Sequence, residues 1–480
     1  MSNISTKKIA TSSLWLTASF GFAKVSQLLA QIFLARLLSP DDFGVWGMVL
    51  IVTTLSALFK DAAIASVLIQ RGLDNKKLVN AVYSLGVNIS IVMFIIQALV
   101  GFPLAKFFGE PLVFPLTLAV SFVFLIGAGA GSHGAVLQRQ MRFRELAIID
   151  SFSGFARFGG AVICASMGGG VWSFAVAEIA MSLVDAFLKR YFSRYHFTYS
   201  LKPDTEAIRE VRAYISSLIG INLAVYANTN SDNLIIGRLI GAKSLGYYNM
   251  AYQLAMLPTF ALSQINRVSF SVLSQRDNEG RKIYLCRMLE IYAVLYAAVY
   301  GVGFLVAPML IPLVYGNEWT PAVNIFQIVM IFAYARGFMS ILGTALNAIN
   351  KPNINAAINW VLVPLSIPAF FFGANLGGVK GVAIAVALVM GVGASIWFWF
   401  AMSRAAKWNI LELFKPVILP TLTIIIALFT VINLPLSSSG QIFIQPLLLI
   451  TIYIIGLSIF SAGRIPRLLI SLAKRSLNMA

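Results

Sequence analysis

Apolar residues run along this chain in long stretches, broken at short intervals by glycine, proline or clusters of charge. The stretches lie near 11–38, 43–60, 79–102, 112–137, 145–167, 171–190, 212–238, 246–268, 287–314, 322–347, 353–373, 379–403, 416–434 and 441–462, fourteen in all. About 20 apolar residues in α-helix cover the roughly 30 Å hydrocarbon core of a bilayer. The pattern therefore predicts an all-α integral membrane protein of fourteen transmembrane helices. The first stretch follows Lys7 and Lys8 but is too long for a signal peptide and has no convincing cleavage site, so it reads as the first membrane helix.

The polar breaks are not alike on the two sides. With the N-terminus in the cytoplasm, the cytoplasmic connections carry Arg71, Lys76 and Lys77, then Arg139, Arg142 and Arg144, then Lys189, Arg190, Arg194, Lys202, Arg209 and Arg212. Later ones repeat the bias with Arg267, Arg276, Arg281, Lys282 and Arg287, with Lys351, with Arg404, Lys407 and Lys415, and with a basic tail from Arg464 to Arg475. The opposite side holds only Arg36, Lys106, Arg238, Lys243 and Lys380. Basic residues stay on the cytoplasmic side during insertion, so both termini are expected there, as an even helix number also requires.

Two stretches recur. Ala35-Arg36-Leu37-Leu38 leads to Phe43-Gly44-Val45-Trp46, and Gly237-Arg238-Leu239-Ile240 leads to Leu245-Gly246-Tyr247-Tyr248, an offset of 202 from Arg36 to Arg238. Ser66-Val67-Leu68-Ile69-Gln70-Arg71 matches Ser271-Val272-Leu273-Ser274-Gln275-Arg276 at an offset of 205. Copies six helices apart share one orientation, which predicts two six-helix lobes about a cavity. The expected division is a first lobe over 1–190, a cytoplasmic linker over 191–211, a second lobe over 212–403, and helices thirteen and fourteen with the tail over 404–480.

Composition closes off other classes. Of 480 residues 59% are hydrophobic and 11% charged, and the mean hydropathy is +0.83, which leaves no room for a sizeable soluble domain. The net charge of +18 would suggest nucleic acid in a soluble protein; here basic loops and anionic lipid account for it. Cys164 and Cys286 form no disulfide framework, and His133 and His196 begin no metal-binding or nucleophile–base pattern. No phosphate-binding glycine loop is present, so no cofactor is expected and an attached ATPase is disfavoured.

Charged side chains within the hydrocarbon are costly, about 2.5–3.5 kcal/mol each on insertion scales, and so should face a cavity or a partner. Lys24, midway along the first helix, shares a polar stripe with Ser13, Thr17 and Gln31 and, less closely, Gln27. The stripe suits water or substrate, with pairing of Lys24 to a carboxylate as the structural alternative. Arg336 lines up with Ser340, Gly343 and Asn347, a second face suited to a wet cavity or to interhelical bonds. Arg157 lies about 10.5 Å along its helix from Asp150, too far for an easy pair, which makes Glu178 on the next helix the better partner; it reads as an intralobe brace or a substrate site. Asp232, with Asn228, Thr229, Asn230 and Asn233 around it, is placed to couple transport to an ion or to stabilise packing, and Asp61 beside Lys60 is a weaker candidate of the same kind. Asn355 and Asn359 share a face and suit sugar hydroxyls or interhelical bonds.

The sequence resembles the polysaccharide transporter family, the Wzx-type flippases within a superfamily that includes MATE-type multidrug exporters. The resemblance rests on Ala35-Arg36-Leu37-Leu38-Ser39-Pro40-Asp41-Asp42-Phe43-Gly44, on Leu137-Gln138-Arg139 with Phe143, on Asp232-Asn233-Leu234-Ile235-Ile236-Gly237 with Leu245-Gly246-Tyr247-Tyr248, and on Gly316-Asn317-Glu318-Trp319. It implies a carrier in the bacterial inner membrane that moves an undecaprenyl-pyrophosphate-linked oligosaccharide to the periplasmic leaflet without ATP, beside a polysaccharide polymerase and co-polymerase. A MATE-like drug exporter on the same fold would favour an anionic cavity, against Lys24 and Arg336. A membrane polymerase or ligase would need a substantial outer loop with acidic, His or Arg residues, and the outer loops here are short.

Overall fold

The computed structural model describes residues 28–61, 64–263, 265–434 and 438–461, and the elements it builds there are helices. The motif around Ser39 shows why they start where they do. The Ser39 amide and hydroxyl both donate to Asp42 Oδ2, at 2.9 and 2.8 Å, and the Asp42 amide returns a bond to Ser39 Oγ at 3.2 Å. That reciprocal cap, with proline as first helical residue, ends α1 (Leu28–Leu37) and begins α2 (Pro40–Asp61) a few residues before the apolar run.

The remaining helices follow in chain order. The first series is α3 (Ile64–Arg71), α4 (Lys76–Phe108), α5 (Val113–Ile126), α6 (Ala130–Arg139), α7 (Phe143–Ser166) and α8 (Trp172–Ser193). The second is α9 (Thr205–Leu239), α10 (Ala242–Ser263), α11 (Ile265–Gln275), α12 (Asn278–Tyr315), α13 (Ala322–Ala348), α14 (Pro352–Ala385), a π-helical stretch (Val386–Gly393) and α15 (Ala394–Ala406). Then come α16 (Ile410–Ile432) and α17 (Ser438–Phe460). The repeat is visible in their lengths: α2 and α10 are both 22 residues, and each is followed by a short helix, α3 or α11, where the second sequence match falls.

Among the described residues, seven helices are long and apolar enough to cross a membrane, or eight if the bent pair α5 and α6 is one span. The protein is thus an all-helical, multi-pass membrane protein. α8 and α9 fall outside that set because they carry Glu178, Asp185, Lys189 and Arg190, and the polar run Asn228–Asn233, at positions a lipid-facing helix would fill with apolar residues. The chain from Pro352 to Ala406 is one run of 55 residues that covers two of the expected helices. It turns at Gly377 and Gly378, whose backbone is not helical.

Two compact units divide between Asn249 and Met250, inside α10. In the first, α7 pairs with α8, α5 lies on α4 and α8, and α2 packs against α4, α5 and α9. The stretch expected as one helix over 112–137 bends by 47° between α5 and α6. Gly129 makes the bend possible, at φ +75° and with the Tyr83 ring 2.6 Å from where a Cβ would stand. Arg190 donates to the Ile126 and Ala128 carbonyls at 3.3 and 2.7 Å, satisfying acceptors freed at the end of α5.

The segment expected as a linker is docked. After Ser193 the chain runs extended to Asp204 along a polar row on α4, one residue per turn. The Thr198 amide donates to Asn80, the Ser200 amide to Ser84, the Tyr199 hydroxyl to Asn88, and Asn88 to the Leu201 carbonyl, at 2.9 to 3.1 Å. Phe197 stacks on Tyr83 and meets His133 edge-on. α9 begins at Thr205 rather than near 212, because Asp204 accepts from the Glu206 and Ala207 amides and Val211 is buried in the core of Val67, Leu68, Leu78, Val79 and Val82.

In the second unit α12 packs on α13, α16 and α17. Tyr292, Tyr296 and Tyr300 repeat at one residue per turn; Tyr296 meets Tyr334 and Phe338 of α13 edge-on, and Tyr300 meets Tyr334 in the same way. Gly337 leaves room for Tyr296, whose ring lies 2.1 Å from where a Cβ would stand. α16 and α17 close on α12 through Val294, Ala297, Ile424, Ala427, Leu449 and Tyr453.

Candidate functional site

The polar residues singled out within the membrane fall into two sets, one in each unit. In the first unit Asp232 of α9 is buried, 4% exposed, with Asn228 and Ser231 buried beside it. The Tyr248 hydroxyl of α10 donates to Asp232 Oδ2 at 2.5 Å, and the Asn233 amide donates to Oδ1 at 2.8 Å. The sequence pointed to Asp232 but not to Tyr248. The signal was nonetheless there, since a tyrosine buried on an apolar helix needs a partner for its hydroxyl. Tyr226, two turns before Asp232, similarly donates to the Ile51 carbonyl of α2 at 2.5 Å.

Arg157 of α7 and Glu178 of α8 form an ion pair. Glu178 is the more enclosed, at 19% exposure against 43% for Arg157, so part of the guanidinium stays open. A second α8 acid, Asp185, is taken by Lys189 at 2.8 Å. Gln31 of α1 is buried with its Nε2 unpartnered among the described residues, and Phe33 on the same helix meets Phe158 of α7 at 5.8 Å. Lys24 lies outside the described residues, as does the side chain of Asp61.

In the second unit the face predicted around Arg336 becomes a polar seam. Asn266 of α11 donates to Ser340 Oγ at 2.7 Å and accepts from the Tyr292 hydroxyl at 2.9 Å. One turn on, Gly343 brings Asn355 of α14 to within 3.3 Å of its Cβ position, and Asn355 donates to Asn347 Oδ1 at 3.3 Å. Asn359 donates to the Asn355 carbonyl and side chain at 2.8 and 3.1 Å. Arg336 stands half-buried at the head of this line and makes no hydrogen bond or ion pair with a described residue. Buried polar side chains that bond each other across helices hold a fixed geometry. A cation left over beside them has donors available for an anion.

No group of three or more His, Cys, Asp or Glu side chains is placed to hold a metal among the described residues.

Comparison with known proteins adds relatives to this geometry. Residues 33–324 match the family model described as "Polysaccharide biosynthesis protein". The chain is 25% identical over 421 residues to the lipopolysaccharide biosynthesis protein WzxC of Escherichia coli K12, covering 85% of this chain and 84% of that one. It is 25% identical over 429 residues to the teichuronic acid biosynthesis protein TuaB of Bacillus subtilis, covering 87% of each. Its fold superposes on the lipid II flippase MurJ in an inward closed conformation with a TM-score of 0.76, at 15% identity over 94% of this chain and 99% of that one.

Proposed function

From the premise that the chain belongs to the polysaccharide biosynthesis protein family, the Wzx-type transporters rather than enzymes, we propose that it flips an undecaprenyl-pyrophosphate-linked oligosaccharide from the cytoplasmic to the periplasmic leaflet. It crosses the membrane fourteen times with both termini in the cytoplasm, and its two repeats alternate access to a central path. The single observation that carries the reading is Arg336, a cation at membrane depth with no acidic partner among the described residues, at the head of the Ser340, Asn347, Asn355 and Asn359 seam. A pyrophosphate needs charge-assisted donors and a sugar needs amides and hydroxyls; the seam offers both. Lys24 and Gln31 on the first helix, with the open part of Arg157, supply the same chemistry in the other repeat. Asp232 carries the coupling ion, with Asp61 as a second acid.

Proteoliposomes holding the purified chain test this. A pyrophosphate-linked sugar should cross, whereas a cationic drug should not. Arg336→Ala and Lys24→Ala should each cut the rate at least several-fold at near-normal yield, and Lys24→Arg should lose less than Lys24→Ala. Full rates in both alanine variants would remove the anion site, and drug movement in place of sugar would favour an exporter.

A further inference from the structure

Two glycines from the repeated motif meet each other's helix. A Cβ on Gly44 of α2 would stand 1.7 Å from the Ala242 carbonyl oxygen of α10, and a Cβ on Gly246 would stand 1.9 Å from the Pro40 carbonyl oxygen. Gly44 is to Pro40 as Gly246 is to Ala242, four residues on in each copy, so the contact is reciprocal. One turn further, a Cβ on Gly47 would touch Asn249 Nδ2 at 2.3 Å. Both helices begin here, on the side opposite the basic connections.

We propose that this crossing is the outer seal of the transport path, closed by backbone lying on backbone and parted once per cycle. The proposal rests on the flippase reading above for the existence of a cycle. Three observations support it. The first is that no side chain is interposed, so the two helix starts close as tightly as peptide units permit, and a single added methyl group would hold them apart. The second is that α2 is capped from within by Ser39 and Asp42, so its first donors do not depend on α10 and stay satisfied when the helices part. The third is that Tyr248, two residues past Gly246, is bonded to the buried Asp232 of α9. A change at Asp232 therefore has a direct route to the start of α10, which would place the coupling group beside the seal.

The test uses the full chain in membranes with Cys164 and Cys286 replaced by serine. Asn249→Cys is the reporter, read with a membrane-impermeant thiol reagent added from outside. Gly44→Ala or Gly246→Ala should raise its labelling several-fold over the same chain with both glycines; unchanged labelling would overturn the proposal. This readout needs no substrate, so raised labelling in the variants, together with no movement of lipid-linked sugar by the chain that keeps both glycines, would refute the flippase reading and leave the crossing as the seal of a path for another cargo. Should the alanine variants fail to reach the membrane, Gly47→Cys with Asn249→Cys decides. These positions lie close to the Cβ separation of about 3.5–4.5 Å that a disulfide spans. Oxidation should stop transport and reduction restore it, whereas transport at the same rate in both states would show a static contact.

Discussion

A guanidinium within a bilayer has few ways to be satisfied, and Arg157 displays one of them while Arg336 meets no acid among the described residues. Arg157 is neutralised by Glu178 across the α7–α8 hairpin, whose glycine turn sets the two helices at comparable depth. Because Arg157 is 43% exposed, its pair should fall between the about 0.2–1 kcal/mol of an exposed bridge and the about 3–5 kcal/mol lost on breaking a buried one. Arg157→Met and Glu178→Gln should each lower the thermal midpoint in detergent, and the double variant should recover part of the loss; strictly additive losses would separate the two residues. At Asp232 the question is packing against coupling. Asp232→Asn keeps an acceptor for Tyr248 but loses the charge, so transport should fall while yield holds. Tyr248→Phe strips a donor from a buried carboxylate and should cost about 1–3 kcal/mol of stability. Equal transport by Asp232→Asn and the native chain would return Asp232 to packing.

At the scale of elements, the chain between α8 and α9 behaves as a strap laid on a helix rather than as a free connection. Asn80, Ser84 and Asn88 recur every four residues on α4, a polar row whose bonds go to the amides, carbonyl and hydroxyl of residues 198–201. Removing two of its anchors, in Asn80→Ala with Asn88→Ala, should expose the strap to protease added to the detergent-solubilised protein, with cleavage mapped between 194 and 204. A digestion pattern equal to that of the native chain would mean that Phe197, stacked on Tyr83, holds it unaided. The same row was visible as sequence and suggested nothing, because asparagine and serine on one face of a helix can serve water, lipid headgroups or another segment equally. The short helices α3 and α11 were hidden for a related reason: eight and eleven residues lying mostly outside the long apolar runs look like loop when only those runs count as signal, whereas α6 was read as the continuation of α5.

For the whole molecule, the cheapest check is topology. A cysteine at Pro203 should label only once the cytoplasmic face is opened, and one at Ser438 should label from outside; the reverse result would invert the orientation read from lysine and arginine. The membrane class, the all-helical build and the family were legible in the sequence alone. Water excludes apolar runs and the bilayer accepts them, and this partition acts on each segment wherever it folds. The repeat was legible too, and α2 and α10 keep one length, each followed by a short helix. What only the tertiary structure decided depends on distance between segments far apart in the chain: that Arg157 meets Glu178 while Arg336 meets no described acid, that Tyr248 serves Asp232, and that Gly44 and Gly246 clear space for each other's backbone. A glycine in a sequence says that a side chain is absent; which carbonyl fills that space is settled when two helices cross.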